Sequence, residues 1–152
     1  MEITSPNIIP NIDATFVFLG GAIDNGSALN WQKEVSLKLQ AYHRIIVLNP
    51  RRESFCFTDK PELEKQIEWE LNAQELSHII LYYFPEHSMA PITFLELGTF
   101  SQRCPDKIIV CAELGFYRLT NLEVFCKRYN IKLVNNLDQF LSIVYLKMSE
   151  SL

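Results

Sequence analysis

A doubly wound α/β domain is the architecture this sequence predicts, and three observations carry it. Short apolar runs alternate with amphipathic segments along the whole chain, the pattern of a parallel sheet covered by helices on both faces. One run, residues 78–84, is rich in Ile, Leu, Tyr and Phe and reads as a central strand. Two runs end in Gly20-Gly21 and Asn49-Pro50, residue pairs that turn a strand into a loop.

The elements follow in order. The first strand spans residues 15–19, and the loop 22–28 after it contains Asp24-Asn25-Gly26, a strong turn signal. A helix over 29–42 places Val35 and Leu39 on one face, and a second strand covers 44–48. After the polar loop 51–60, Pro61 suits a first helical position, and Glu62 and Glu64 suit the positive end of a helix dipole. Leu63, Ile67 and Leu71 recur every fourth residue and predict that helix's buried stripe. The third strand, 78–84, leads to a helix from Pro91 to Arg103. A fourth strand at 107–112, a helix at 121–129, a short strand at 132–134 and a terminal helix at 137–148 complete the chain. With no internal repeat or composition break, this is a single domain over residues 1–152, a doubly wound (Rossmann/flavodoxin-like) sheet of five parallel strands.

Composition narrows the function. Hydrophobic residues make up 48% and charged residues 21%, which argues against disorder and for a real core. The net charge is −4 and the basic residues are dispersed, so duplex nucleic acid is not the expected partner. Cys56, Cys104, Cys111 and Cys126 show no CxxC spacing and no paired His, so no metal site, redox motif or disulfide framework is expected, and no cofactor is implied. No apolar run approaches the ~20 residues of a membrane helix, and no signal segment is visible at the amino end, so a cytoplasmic protein without membrane contact is expected.

In doubly wound folds, ligands bind at the carboxyl ends of the strands, which selects the loops 20–28, 49–60, 85–90 and 113–120. The polar groups in or beside them are Asp24, Asn25, Arg51, Arg52, Ser88, Glu96, Tyr117, Arg118 and Asn121. Glu96 stands out, because it interrupts the apolar run 91–98 and a buried carboxylate must be hydrogen-bonded or functional. Gly20 and Gly21 permit close approach of a ligand to the backbone, although the loop lacks a GxGxxG or GK[ST] pattern. Asp24 could accept from ribose hydroxyls or a base edge, and Asn25 serves either a ligand or a plain turn. Trp31, in the first helical turn, is the candidate base-stacking platform, whereas Phe16, Phe18, Tyr82, Tyr83 and Phe84 read as core. Arg51 and Arg52 either meet a phosphate or carboxylate or pair with the acidic surface, the second reading leading for Arg52. Ser88 either contacts phosphate or caps the following helix. Gln66 and Glu70 share one helix edge, and Glu70 is either a pocket residue or a solvated one. His43 and His78 read as structural, and His87 as an outside candidate for acid–base work.

Taken together, several segments resemble the nucleoside 2-deoxyribosyltransferase-like family. They are Phe-Leu-Gly-Gly-Ala-Ile-Asp after the first strand, Trp31-Gln32, Asn49-Pro50-Arg51-Arg52, the run from Gln66 to Glu70, Pro91-Ile92-Thr93 leading to Glu96-Leu97-Gly98, and the run from Gly115 to Arg118 leading to Asn121. The resemblance implies that Glu96 attacks the anomeric carbon of a 2-deoxyribonucleoside or its nucleotide, expels the base and forms a covalent deoxyribosyl-enzyme, after which a second base collects the sugar. It also implies a site completed across a subunit interface near Tyr117, Arg118 and Asn121, hence a homo-oligomer, most simply a dimer. Glu96 would have to be ionised, which the N–H groups at the start of its helix would favour. The segment from His87 to Pro91 contains no aspartate, so proton donation falls to Asp24, Glu70 or water. This opens two alternatives, N-glycoside hydrolysis and a nucleotide-binding sensor or sequestering protein without turnover. A receiver-like signalling module ranks last, because Phe84-Pro85-Glu86 offers no phosphoacceptor aspartate.

Overall fold

A computed structural model describes residues 1–23 and 29–150. Its elements are β1 (Glu2–Thr4), β2 (Thr15–Gly21), α1 (Trp31–Leu39), β3 (Ile45–Asn49), α2 (Lys60–Leu76), β4 (Ile79–Phe84), α3 (Pro91–Arg103), β5 (Ile108–Ala112), α4 (Leu119–Arg128), β6 (Lys132–Val134) and α5 (Leu137–Glu150), with a short 3-10 turn, Pro105–Lys107, before β5. The strands form one sheet in the order β1-β3-β2-β4-β5-β6, every pairing parallel. The sheet therefore has six strands rather than the five expected. The extra one, β1, is three residues long and pairs with β3 at the edge, too short to leave a periodicity in sequence.

Chain order reverses between β2 and β4, where Gly20 lies opposite Tyr82 and Gly21 opposite Tyr83. This is the switch point at which doubly wound folds open a crevice. Side chains alternate across the sheet into two cores. Phe18, Leu48, Tyr82, Phe84 and Val110 face α2, α3 and α4, and Val17, Leu19, Val47, Leu81 and Cys111 face α1 and α5. All residues of β3, β4 and β5 are buried, the signature of a sheet covered on both sides.

Helix starts follow local chemistry. Asn30 accepts from the Lys33 N–H (3.2 Å) to cap α1, and Asp59 accepts from the Glu62 N–H (3.2 Å) to cap α2. The first helix is shorter than expected, beginning at Trp31 and ending at Leu39. The rotation of α2 departs from expectation. Ile67 and Leu71 are exposed, and the inward residues are Gln66, Trp69, Ala73 and Gln74. The apolar stripe faces outward because the inward edge carries the hydrogen-bonding groups that meet the sheet ends and the amino-terminal segment. Gln66 accepts from Ser5 Oγ (2.6 Å) and donates to the Pro50 carbonyl (2.8 Å), and Trp69 Nε1 donates to the Asn7 carbonyl (2.8 Å).

Candidate active site

The inward edge of α2 faces α3 across a small, half-buried acidic centre. Glu96, in the second turn of α3, accepts from Gln74 Nε2 (2.8 Å). The same Nε2 reaches the Glu70 main-chain carbonyl (3.2 Å), and Gln74 Oε1 accepts from the hydroxyl of Tyr82, a fully buried residue of β4. One turn back, Glu70 accepts from Gln66 Nε2 (2.7 Å). Two carboxyls are thus held near one another, each by a glutamine amide, against the α2–α3 face of β4.

Burial sets their charge. The Glu96 carboxyl is pushed up to about 8, first by loss of solvent and then by the neighbouring Glu70, with the Gln74 hydrogen bond opposing. Glu70 is also raised by burial, with the Gln66 bond opposing. Glu96 would have to be ionised to attack, and the expectation that the start of its helix favours this is corrected. Its place beyond the first turn of α3 puts it outside the reach of the helix dipole, and desolvation outweighs the ~0.3–1 kcal/mol a dipole could supply. Burial thus favours a proton on this pair, and two carboxyls so placed can offer an acid beside a base.

The remaining sequence-predicted residues fall in three places. Asp24 and Asn25 lie outside the described residues. Gly20 and Gly21 end β2, but the room a side chain would need is filled by Tyr82 and Phe18 at Gly20 and by Tyr83 and Trp31 at Gly21, which also has φ +155°. These glycines are demanded by packing within the protein rather than left open for a ligand. Trp31 is buried in the core of the opposite sheet face, donating Nε1–H to the Ala22 carbonyl (3.2 Å) with its ring edge-on to Tyr83. It has no open ring face for a base, which corrects the stacking role expected of it.

At the end of β3, Arg51 Nη1 donates to the Leu29 carbonyl (3.0 Å) and to Gln32 Oε1 (3.4 Å), tying the start of α1 to the 49–60 loop. Arg52 pairs with Glu62 (3.4 Å) and lies over the Phe55 ring, the acidic-partner reading that led in sequence. Ser88 is buried and gives its Oγ–H to the Pro85 carbonyl (3.0 Å), so it closes a turn and does not cap α3. The cap position there is Ala90, in a left-handed conformation (φ 47°) with no side-chain acceptor. His78 accepts from the Phe16 N–H (3.1 Å) and stacks on that ring, a structural role.

Tyr117, Arg118 and Asn121 come together, but on the other flank of α3 from Glu96. With Phe94, Gly98 and Phe125 they line a cavity of about 430 Å³ between α3 and α4. The Tyr117 hydroxyl reaches the Met89 carbonyl (3.4 Å), and the Arg118 guanidinium lies 5.3 Å from the Tyr117 ring centre. Within one chain they do not touch the acidic pair.

Sequence reasoning missed Gln74 and Tyr82. Their only signal was relative position: Gln74 continues the Gln66–Glu70 edge by four residues, and Tyr82 faces the same side of its strand as Ile80 and Phe84. Among the described residues, no cluster of His, Cys, Asp or Glu is placed to hold a metal, and no helix is long and apolar enough to cross a membrane.

Comparison with known proteins adds one finding. The family profile "Nucleoside 2-deoxyribosyltransferase like" matches residues 14–116, from the start of β2 through the loop after β5, and so includes both glutamates. No curated protein matches the chain.

Proposed function

Since the chain belongs to the nucleoside 2-deoxyribosyltransferase-like family, we propose that it breaks the N-glycosidic bond of a 2-deoxyribonucleoside or its 5′-monophosphate with Glu96 as nucleophile. The observation that carries this reading is the half-buried pair of Glu96 and Glu70 between α2 and α3, each carboxyl held by a glutamine amide and raised by burial, Glu96 also by Glu70. For the attack the proton must sit on Glu70, so that Glu96 reacts as the carboxylate. An oxygen of Glu96 bonds to the anomeric carbon, the carbon–nitrogen bond breaks with its electron pair leaving on the base, and Glu70 protonates the departing ring nitrogen. A second base or water then bonds to the anomeric carbon and gives its proton to Glu70, while the carbon–oxygen bond to Glu96 breaks and its electron pair returns to the carboxylate. Asp24, Asn25 and Arg51 would contact the sugar or its phosphate at the switch-point loops.

We place the Tyr117–Arg118–Asn121 wall at a contact between two copies of the chain, where a partner would complete the site. Free thiols at all four cysteines suit a reducing compartment, the cytoplasm. One feature favours a second reading, nucleotide binding without turnover: burial and Glu70 both push the Glu96 carboxyl toward its acid form, and a carboxylic acid is a poor nucleophile.

The test is to incubate the protein and its Glu96→Ala variant with deoxynucleosides and their monophosphates, with and without a second free base, and to follow bases and nucleosides by chromatography. Exchange that the variant loses, by about 10³-fold or more, supports the transferase. Release without exchange, again lost, makes it a hydrolase. Binding without release of base supports the second reading, and neither binding nor turnover across the panel overturns both.

A further inference from the structure

We propose that Tyr82 is a positioning residue that acts through Gln74, turning that buried amide so that its N–H side faces the Glu96 carboxyl. A primary amide has a donor end and an acceptor end that differ only in what surrounds them. Gln74 is fully buried, so both ends must be matched inside the protein. On one side stand two acceptors, the Glu96 carboxyl (2.8 Å) and the Glu70 main-chain carbonyl (3.2 Å). On the other stands the Tyr82 hydroxyl, which donates to Oε1. Burial drives the phenol's proton affinity up, so Tyr82 stays a neutral donor at every working pH.

Three partners thus agree on one orientation. The reverse orientation would set Oε1 against the Glu70 carbonyl and, whenever Glu96 is ionised, against its carboxylate. The consequence falls on Glu96: an N–H aimed at it favours the carboxylate, while a carbonyl oxygen there would favour the acid. Because hydrogen bonds in series polarise one another, the Tyr82 bond strengthens the Gln74 bond to Glu96. The relay opposes desolvation and the charge of Glu70, and so keeps a carboxylate within reach of neutral pH.

The surroundings leave it this task. From α2, Glu70 faces Glu96 and raises it, with Gln66 bonded to Glu70 rather than to Glu96. From β4 the facing group is Tyr82, with the Cys104 thiol at its flank. The Arg103–Glu75 pair (2.8 Å) bridges α3 and α2 at the exposed surface. Among the described residues no cation pairs with Glu96, so the amide relay is the counterweight to burial.

This inference shares with the proposed function only the identity of the group positioned, and its test needs no substrate. Glutamate carboxyl carbons are labelled with carbon-13, the Glu96 resonance is assigned by its loss in Glu96→Gln, and its titration midpoint is followed by NMR. Removing the amide donor in Gln74→Met should raise the midpoint by about one to two pH units. The conservative Tyr82→Phe, which keeps the ring and deletes only the hydroxyl, should raise it by about half a unit.

In the double variant, Tyr82→Phe should add nothing to Gln74→Met, since its path to Glu96 is gone. An unchanged midpoint in Tyr82→Phe overturns the proposal, as does an equal rise from Tyr82→Phe in the Gln74→Met background. Should Gln74→Met not fold, the Tyr82→Phe titration decides alone. A packing role for Tyr82 would lower stability and leave the midpoint in place. A relay that fails in a protein that still exchanges bases falls by itself, and a protein without turnover leaves the relay standing.

Discussion

Raising the pH from about 5 to about 8 should cost the native protein stability that a Glu96→Gln variant keeps. In the unfolded chain a glutamate releases its proton near the usual 4.5, whereas in the native state Glu96 holds it up to about 8. Between those values the native state binds the extra proton, so stability is fully present below the lower value and declines as pH rises through the upper one. At about 1.4 kcal/mol per pH unit the whole interval would amount to roughly 5 kcal/mol. Glu96 retains a partial opening to solvent, and screening there brings the expected loss to ~2–3 kcal/mol. Glu70, raised by burial in the same direction, contributes with the same sign in both proteins. The amide of Glu96→Gln can still accept from Gln74 and carries no charge, so the variant isolates the titration from the geometry. Urea unfolding of both proteins at four pH values gives the difference directly. Parallel stability curves, within about 0.5 kcal/mol across the range, would refute the argument that burial and Glu70 hold the proton on Glu96.

Other outcomes follow from the same contacts. Gly21→Ala should destabilise by about 1–3 kcal/mol, because its φ of +155° and the Tyr83 carbonyl both refuse a side chain; chemical denaturation measures it. Gly98→Ala, where a side chain meets nothing, should instead stabilise α3 by about 0.5–1 kcal/mol in the same assay. Among the four thiols, Cys56, exposed and lowered by its hydrogen bond to Thr58, should react first with a disulfide reagent at neutral pH. Cys111, pushed up to about 12, and Cys126, pushed up to about 11, should react only on unfolding. Trp69→Phe deletes the indole bond to the Asn7 carbonyl and should cost about 1 kcal/mol, read by thermal denaturation.

What was legible in the sequence was whatever burial writes into hydropathy. The strands β2 to β6 and the bounds of α3 follow from apolar runs and from Pro91, and Glu96 is visible because a charge inside such a run is costly. The rotation of α2 was misread because Leu63, Ile67 and Leu71 make a regular stripe, and a stripe says nothing about which side must satisfy hydrogen bonds. Trp31 lay beside a loop in sequence and inside a core in space, a distinction only the packing of α1 against β2 and β4 decides. Gln74 and Tyr82 were illegible for a related reason. A neutral amide on a helix and a phenol in an apolar strand look ordinary until the fold sets them beside a carboxyl.

The inside-out face of α2 bears on how this helix is secured. Its Ile67–Leu71 ridge is turned to water, while Trp69 and Ala73 are its buried apolar anchors. Its rotation is also latched by directional bonds: Gln66 to Ser5 and Pro50, Trp69 to Asn7, and Gln74 to Tyr82 and Glu96. Rolling Ile67 and Leu71 inward would carry Glu70 away from Glu96 but would also turn Trp69 and Ala73 out of the core, so the buried indole backs the bonds that hold this rotation.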